Sequence, residues 1–124
     1  MRRLKAYFDG GCRPNPGAME AAVVVGGRTT ILDDLGHGSS TDAEWLALIE
    51  ALRIVRAMGV DDYVLLGDSA DVVAKAGGRL PCRGAAAAYR ARLSAMAGDR
   101  ALRIRHIPRS QNLAGIALAR RHGR

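Results

Sequence analysis

Apolar and polar residues alternate over the first third of the chain in the way that strands of a half-buried sheet require. In residues 4–9 every second side chain is apolar, and residues 21–25 form an unbroken apolar run. Gly26-Gly27 is a hairpin turn signal between that run and residues 28–35. These segments predict a three-stranded antiparallel meander, with a turn rich in glycine and proline at residues 10–17.

Helical periodicity begins after the meander. Thr41 and Glu44 have the spacing of a capping box, which predicts a helix over residues 41–58. Glu44 shares one face of that helix with the apolar residues at 48, 51, 52 and 55. Further along we predict a strand at 63–67, helices at 69–76 and 85–97 separated by a loop, a strand at 102–107 that Pro108 ends, and a helix at 112–121. The order β-β-β-α-β-α-α-β-α predicts an α/β fold in which helices flank a mixed sheet.

Composition places the chain among ordinary globular domains. Its 124 residues are 48% hydrophobic and 25% charged, which suits one domain spanning residues 1–124. No apolar run approaches about 18 residues, so we expect no membrane span. The start, with two arginines before Leu4, lacks the apolar stretch of a signal peptide, and we expect a cytoplasmic protein. Cys12 and Cys82 are far apart and lack zinc-ligand spacing, so we interpret both as free thiols.

The charge balance is strongly basic. Nineteen lysines and arginines stand against 12 acidic residues, a net charge of +7, and arginine is much the commoner base. Because arginine binds phosphate oxygens in a bidentate manner, this balance favours a polyanionic partner, with nucleic acid first. A codon bias towards arginine would give the same composition, so the charge alone decides little.

Three acidic residues lie where a carboxylate is costly. Asp9 ends the first apolar strand, Glu44 heads an apolar helix stripe, and Asp68 follows the strand at 63–67. Carboxylates next to a core are normally paired or bound to a metal, and a helix packed over neighbouring strands would bring all three together. Such a cluster suits Mg²⁺ or Mn²⁺. Each acid alone has a plainer interpretation: Asp9 opens a turn, Glu44 completes a capping box and Asp68 caps a helix.

Four segments, in order along the chain, resemble the type 1 ribonucleases H. They are Y-F-D-G-G-C at residues 7–12 with N-P-G at 15–17, T-D-A-E at 41–44 followed by L-A-L-I-E-A-L, L-L-G-D-S at 65–69, and H-I-P-R-S-Q-N at 106–112 with A-L-A at 117–119. The resemblance covers nearly the whole chain. It implies a ribonuclease H-like fold, a five-stranded mixed sheet flanked by helices. It also implies an endonuclease that cuts the RNA strand of RNA–DNA hybrids with two divalent metal ions, leaving 5′-phosphate and 3′-hydroxyl ends.

The resemblance further implies roles for individual residues. Asp9, Glu44 and Asp68 would be three of that family's four metal-binding acids, with Mg²⁺ or Mn²⁺ as the cofactor. The substrate-binding candidates are the turn residues, which would sense 2′-hydroxyls, the residues that precede Glu44, and one arginine on phosphate: Gly11, Cys12, Asn15, Ser39, Ser40, Thr41 and Arg109. Plain helix capping explains the three hydroxyl residues equally well. We expect the protein to be a monomer.

The chain departs from that family at the fourth acid, where Ile116 stands. We hypothesise that the side-chain oxygen of Asn112, one helical turn earlier, replaces it and completes an Asp-Glu-Asp-Asn site. The alternative is that Asn112 only caps the last helix. His106 is a candidate auxiliary residue for product or metal release, or simply a strand residue held rigid by Pro108.

A second departure is the short segment between Asp68 and residue 102, which lacks the basic protruding helix of longer relatives. Substrate binding would then be weak, or would depend on the tail arginines Arg120, Arg121 and Arg124. Two other interpretations stay open. One is a non-catalytic module that binds hybrids or RNA, which the missing acid motivates, and the other is a different nuclease of the same superfamily.

Overall fold

A mixed β-sheet forms the centre of the computed structural model, which describes residues 3–122. Its first half is antiparallel. β1 (Leu4–Arg13) pairs with β2 (Gly17–Val25), and β3 (Arg28–Leu32) pairs with the far edge of β2. The two-residue β4 (His37–Gly38) also pairs with β2. These strands form the meander that the hydrophobic pattern predicts.

The second half of the sheet is parallel. β5 (Tyr63–Gly67) pairs with the free edge of β1, and β6 (Ile104–His106) pairs with β5. The order across the sheet is β3-β2-β1-β5-β6, with β4 beside β2. β5 therefore ends opposite the middle of β1, and the residue that follows β5 lies beside the side chains of that part of β1.

Four helices cover the sheet. α1 (Ser40–Ala57) lies on β1 and β2, and α3 (Ala85–Ala97) packs against α1. α2 (Ala70–Ala76) follows β5, and α4 (Leu113–Arg121) lies on β1, β2 and β3. A 3₁₀ turn (Arg109–Gln111) links β6 to α4.

The two faces of the sheet are both buried. Along β2, residues 21, 23 and 25 pack in the larger core with α1, whereas residues 22 and 24 pack with Ala114 and Leu118 of α4. Because helices cover both faces, this strand is an unbroken apolar run rather than an alternating one.

The predicted fold class and element order are confirmed, with β4 and the 3₁₀ turn added. The bounds differ most at the first turn, predicted at residues 10–17. Pairing between β1 and β2 continues to Arg13 opposite Ala18, so only residues 14–16 lie between these strands. β3 ends at Leu32, three residues earlier than predicted.

The start of α1 also differs from the prediction. Ser39 is the N-cap residue: its hydroxyl accepts a hydrogen bond from the backbone N–H of Asp42 at 3.0 Å, and the Asp42 carboxylate accepts from the N–H of Ser39 at 3.0 Å. The capping box is therefore Ser39 and Asp42, and the predicted box of Thr41 and Glu44 is wrong. Glu44 lies two residues beyond Asp42, too deep in the helix to cap it, so its side chain is left for the interior.

Among residues 3–122 we find no helix with the length and hydrophobicity needed to cross a membrane. Residues 1 and 2, which belong to the segment in which we expect no signal peptide, lie outside the described residues. The tail residue Arg124 also lies outside them.

A close contact fixes how α1 sits on β1. A Cβ atom added at Gly10 would lie 2.2 Å from the backbone oxygen of Ala43 and 2.7 Å from the backbone nitrogen of Glu44. Only glycine allows the strand and the helix to approach so closely. The contact places the backbone of Glu44 directly on the residue after Asp9.

We expect Gly10→Ala to lower the free energy of unfolding by about 1–3 kcal/mol, because the helix or the strand must shift to admit the methyl group. Urea unfolding measures this loss. Gly11→Ala is the matched control, since a Cβ atom there meets nothing within 4 Å. Equal losses in the two variants would contradict the packing argument.

Candidate metal centre

Two of the three predicted acids are brought together by strand register. β1 and β5 pair in parallel from Leu4 opposite Tyr63 to Tyr7 opposite Leu66. Continuing the same offset places Asp9 beside Asp68, just past the end of β5. The strands therefore deliver two carboxylates to one point, as the sequence predicted.

The third acid reaches the same point from α1. Glu44 is 8% exposed, and its Oε1 accepts a hydrogen bond from the backbone N–H of Gly10 at 3.2 Å. Its Oε2 is buried and has no hydrogen-bond partner among the described residues. One carboxylate oxygen each from Asp9, Glu44 and Asp68 lie within 4.8 Å of one another.

Burial makes this cluster electrostatically costly. Loss of solvent and the close, negatively charged Asp9 carboxylate together raise the pKa of Glu44 to about 10. Burial also raises the pKa of Asp9, and Asp68 adds to that shift while Glu44 and Arg109 oppose it. A divalent cation among the three carboxylates would remove the repulsion and give the unpartnered Oε2 a ligand role, so these residues fit a hard metal ion.

Asn112 lies beside the acids with its nitrogen towards them. The buried side chain donates from Nδ2 to Asp68 Oδ2 at 2.9 Å and to the backbone oxygen of Phe8 at 3.0 Å. Its Oδ1 accepts from the backbone N–H of Ala114 at 3.1 Å and so caps α4. Asn112 therefore caps α4, as the alternative interpretation predicted. The cap uses Oδ1, the same oxygen that would have to bind a metal ion if Asn112 were a ligand.

The first turn of α4 contacts the acids without adding a carboxylate. A Cβ atom at Gly115 would lie 3.4 Å from Asp9 Oδ2 and 3.6 Å from Asp68 Oδ2. Ile116, the next residue, is 38% exposed and lines the same cleft as the acids. Where the resemblance places the fourth acid, this chain therefore has the exposed apolar side chain of Ile116, which lines the cleft.

The predicted substrate-binding turn packs against the start of α1. Cys12 Sγ lies 3.5 Å from both Asn15 Oδ1 and Ser40 Oγ, and the backbone N–H of Ser40 donates to Asn15 Oδ1 at 3.1 Å. Ser39 is occupied in capping, and Thr41 is exposed in the first turn of α1. The structure thus brings Cys12, Asn15 and Ser40 together.

A cleft of about 550 Å³ joins this turn to the acids. Of the predicted residues, its lining includes the three acids together with Gly11, Cys12, Ser40 and Arg109. His106 lies to one side: its Nε2 is 3.2 Å from the backbone oxygen of Asp68, which supports the interpretation of His106 as a strand residue.

Sequence reasoning missed Glu20, which also lines the cleft. Its carboxylate forms an ion pair with Arg121, at 3.4 Å, and lies within hydrogen-bond distance of His122 Nε2. Arg121, predicted as a free tail arginine for the substrate, also pairs with Asp33. The signal that could have found Glu20 is the register of β2, which the predicted turn at residues 10–17 concealed.

The chain is similar to known ribonucleases H in sequence and in fold. The family model described as reverse transcriptase-like matches residues 8–122. A ribonuclease HI of Halobacterium salinarum is 43% identical over 72 residues, which cover 54% of this chain and 36% of the length of the archaeal protein.

Two solved structures extend the similarity over nearly the whole chain. The crystal structure of RNase H1 from Halobacterium salinarum NRC-1 matches with a TM-score of 0.79 and 33% identity, covering 94% of each chain. LC11-RNase H1, solved in complex with an RNA/DNA hybrid, matches with a TM-score of 0.79 and 27% identity, covering 90% of this chain and 89% of the other.

The raised pKa of Glu44 predicts how stability depends on pH without metal. In the folded state the Glu44 carboxyl keeps its proton up to a pKa of about 10. In the unfolded chain the same carboxyl loses its proton near pH 4.5. This contribution is therefore full below about pH 4.5 and is lost as pH rises. In EDTA we expect the free energy of unfolding to fall by about 2–4 kcal/mol between about pH 5 and about pH 8, since each pH unit costs up to about 1.4 kcal/mol.

Glu44→Gln, which stays neutral, should remove most of that fall, and added Mg²⁺ should reduce it in the wild type. Urea unfolding at several pH values measures both effects. Glu50→Gln is the control on the same helix, because Glu50 pairs with Arg53 and lies outside the acid cluster. A wild-type slope that survives in Glu44→Gln would show that Glu44 is not its source.

Proposed function

Because the chain belongs to the ribonuclease HI family, we propose that it hydrolyses the RNA strand of RNA–DNA hybrids endonucleolytically, at a metal centre formed by Asp9, Glu44 and Asp68. The observation that carries the proposal is the convergence of these three carboxylates within 4.8 Å at the floor of an open cleft. The solved hybrid complex of LC11-RNase H1 supports the choice of substrate. The expected location is the cytoplasm, and a monomer suffices because one chain supplies all three acids.

Divalent ions, Mg²⁺ or Mn²⁺, would supply an activated water and would neutralise charge on the phosphodiester. In the two-metal form of the proposal, Asp9 would contact both ions, and Glu44 and Asp68 would each help to hold one. Asp9 suits the central position because β1, which carries it, pairs with the strand that precedes Asp68 and contacts α1 through Gly10. Products would carry 5′-phosphate and 3′-hydroxyl ends.

In this proposal Asn112 is a positioning residue. Its N–H groups hold Oδ2 of Asp68 and the backbone oxygen of Phe8 in β1, which fixes the Asp68 carboxylate relative to Asp9. The other oxygen of Asp68 is then left to face a cation. This role accounts for the burial of an amide whose oxygen caps α4.

The RNA strand would lie against the Gly11, Cys12 and Asn15 turn, where backbone groups can sense 2′-hydroxyls. Ser40 supports this placement because it contacts both Cys12 and Asn15 and lines the cleft. Arg109, which lines the same cleft, would bind phosphate. Ser39 and Thr41 have weaker support, since Ser39 caps α1 and neither lines the cleft.

A second candidate is a module that binds hybrids without cutting them. The observation in its favour is the first turn of α4, which presents Gly115 and Ile116 to the acids and adds no ligand.

Cleavage of a labelled RNA–DNA hybrid in Mg²⁺ and in Mn²⁺ separates the two candidates. We expect the wild type to cut the RNA strand and Asp9→Asn to lose about 100-fold or more in kcat/KM, because a direct ligand to the metal is removed. Asp99→Asn, an exposed residue outside the cluster, is the matched control and should cut like the wild type. Hybrid binding by the wild type without cleavage in either metal would favour the binding module.

Adding the missing carboxylate should strengthen the site. Ile116 is exposed in the cleft, so Ile116→Asp places a fourth charge there without opening a cavity. We expect about tenfold or more lower Mg²⁺ concentration for half-maximal cleavage, because a carboxylate raises affinity for hard cations. Ile116→Asn, which has the same size and no charge, separates charge from shape. No difference between the two variants would show that this position does not face the metals.

A further inference from the structure

We propose that Glu20 is a fourth acidic residue of the cleft, which attracts the divalent cations held by Asp9, Glu44 and Asp68 and supplies from β2 part of the charge that α4 lacks. The inference rests on the proposed metal centre. It concerns a residue that sits outside the segments by which the chain resembles its family.

Strand register places Glu20 next to the acids. In the β1–β2 pair, Asp9 stands opposite Ala22 and Gly11 stands opposite Glu20. Directly opposed residues, and residues two apart on one strand, share a face of the sheet. Glu20 is therefore the diagonal neighbour of Asp9, and such residues are typically about 7–8 Å apart. Gly11, the residue between them, has no side chain to separate the two carboxylates.

Burial and access agree with this placement. The Glu20 side chain is only 14% exposed, yet it lines the same cleft as Asp9, Glu44 and Asp68. A carboxylate so little exposed is costly unless it is paired or faces a cation. Arg121 and His122, at the end of α4, hold its two oxygens.

The pairing leaves negative charge at this end of the cleft. Arg121 is shared between Glu20 and Asp33, so two carboxylates share one guanidinium. Arg121 and His122 hold the Glu20 carboxylate in place and keep it outside the 4.8 Å group of acids. Glu20 therefore acts on a cation through its field and through water rather than as a direct ligand.

A cation explains this carboxylate better than a nucleic-acid contact does. Phosphate groups entering the cleft would be repelled by Glu20 unless cations stood between them. The unpartnered Oε2 of Glu44, buried in the acid cluster, independently indicates a missing positive ligand in the same cleft. The acid cluster and Glu20 thus face one region that is electrostatically suited to cations.

Calorimetric titration with Mn²⁺ alone, without nucleic acid, tests the inference. We expect Glu20→Gln to raise the Mn²⁺ dissociation constant about three- to tenfold, the effect of removing one charge about 8 Å from a divalent ion in a water-like dielectric. Glu20→Asp should stay near the wild type. Asp33→Asn is the matched control, because Asp33 shares Arg121 but does not line the cleft, and it should change the constant less than about twofold.

Two further measurements separate charge from a structural effect. The loss in Glu20→Gln should shrink as ionic strength rises from about 0.05 M to about 0.5 M, because salt screens a field effect. A thermal melt shows whether each variant is folded. If Glu20→Gln melts early, Glu20→Ala takes its place, and the same rise in the Mn²⁺ dissociation constant is expected at low salt. An unchanged constant in a folded Glu20→Ala would overturn the role of Glu20.

Asp9→Asn makes the outcomes distinguishable. If Asp9→Asn abolishes Mn²⁺ binding while Glu20→Gln binds like the wild type at low salt, the role of Glu20 is overturned and the metal centre stands. If Asp9→Asn itself binds like the wild type, the metal centre is wrong, and the role of Glu20 is overturned with it.

Discussion

The parallel pairing of β1 with β5 is the constraint on which the rest of the structure depends. It sets Asp9, in the middle of β1, beside Asp68, just past the end of β5, although the two residues are far apart in the chain. A slip of one residue in this register would turn one carboxylate to the opposite face of the sheet. Gly10 then lets α1 approach closely enough for Glu44 to join them, and Asn112 fastens the start of α4 to Asp68. Each later feature of the site builds on that strand pair.

The site is held together against its own electrostatics. Three carboxylates converge where burial raises the pKa of Glu44 to about 10 and leaves one of its oxygens without a partner. A protein interior normally avoids such a group of like charges, because no local contact offsets the loss of solvent. The surrounding contacts, from Gly10 and Asn112, hold the acids in place rather than neutralise them. This is the arrangement expected where a cation from solution completes the structure.

The fold and the acidic part of the site could be predicted from the sequence because each depends on local pattern. Asp9, Glu44 and Asp68 all adjoin apolar periodicities that define strands or a helix, so their convergence follows from the element order. The orientation of Asn112 could not be predicted, since a sequence shows an amide but not which end faces the acids. Glu20 was missed for a different reason. The extended pairing of β1 and β2 through Gly11 and Glu20 depends on contacts across the sheet, whereas local glycine and proline content favoured a turn.

Ser39 shows how a local rule can select the wrong residue. Two candidate caps stood three residues from an acid, and the structure uses Ser39 with Asp42 rather than Thr41 with Glu44. Had Glu44 capped the helix, its carboxylate would have been unavailable to the cluster. The choice of cap and the composition of the site are therefore linked.

The most direct test of the central claim is anomalous diffraction from crystals of the protein soaked in Mn²⁺. The account predicts anomalous density among the carboxylates of Asp9, Glu44 and Asp68, which Asp9→Asn removes. Density at other surface carboxylates with none in this cluster would contradict it.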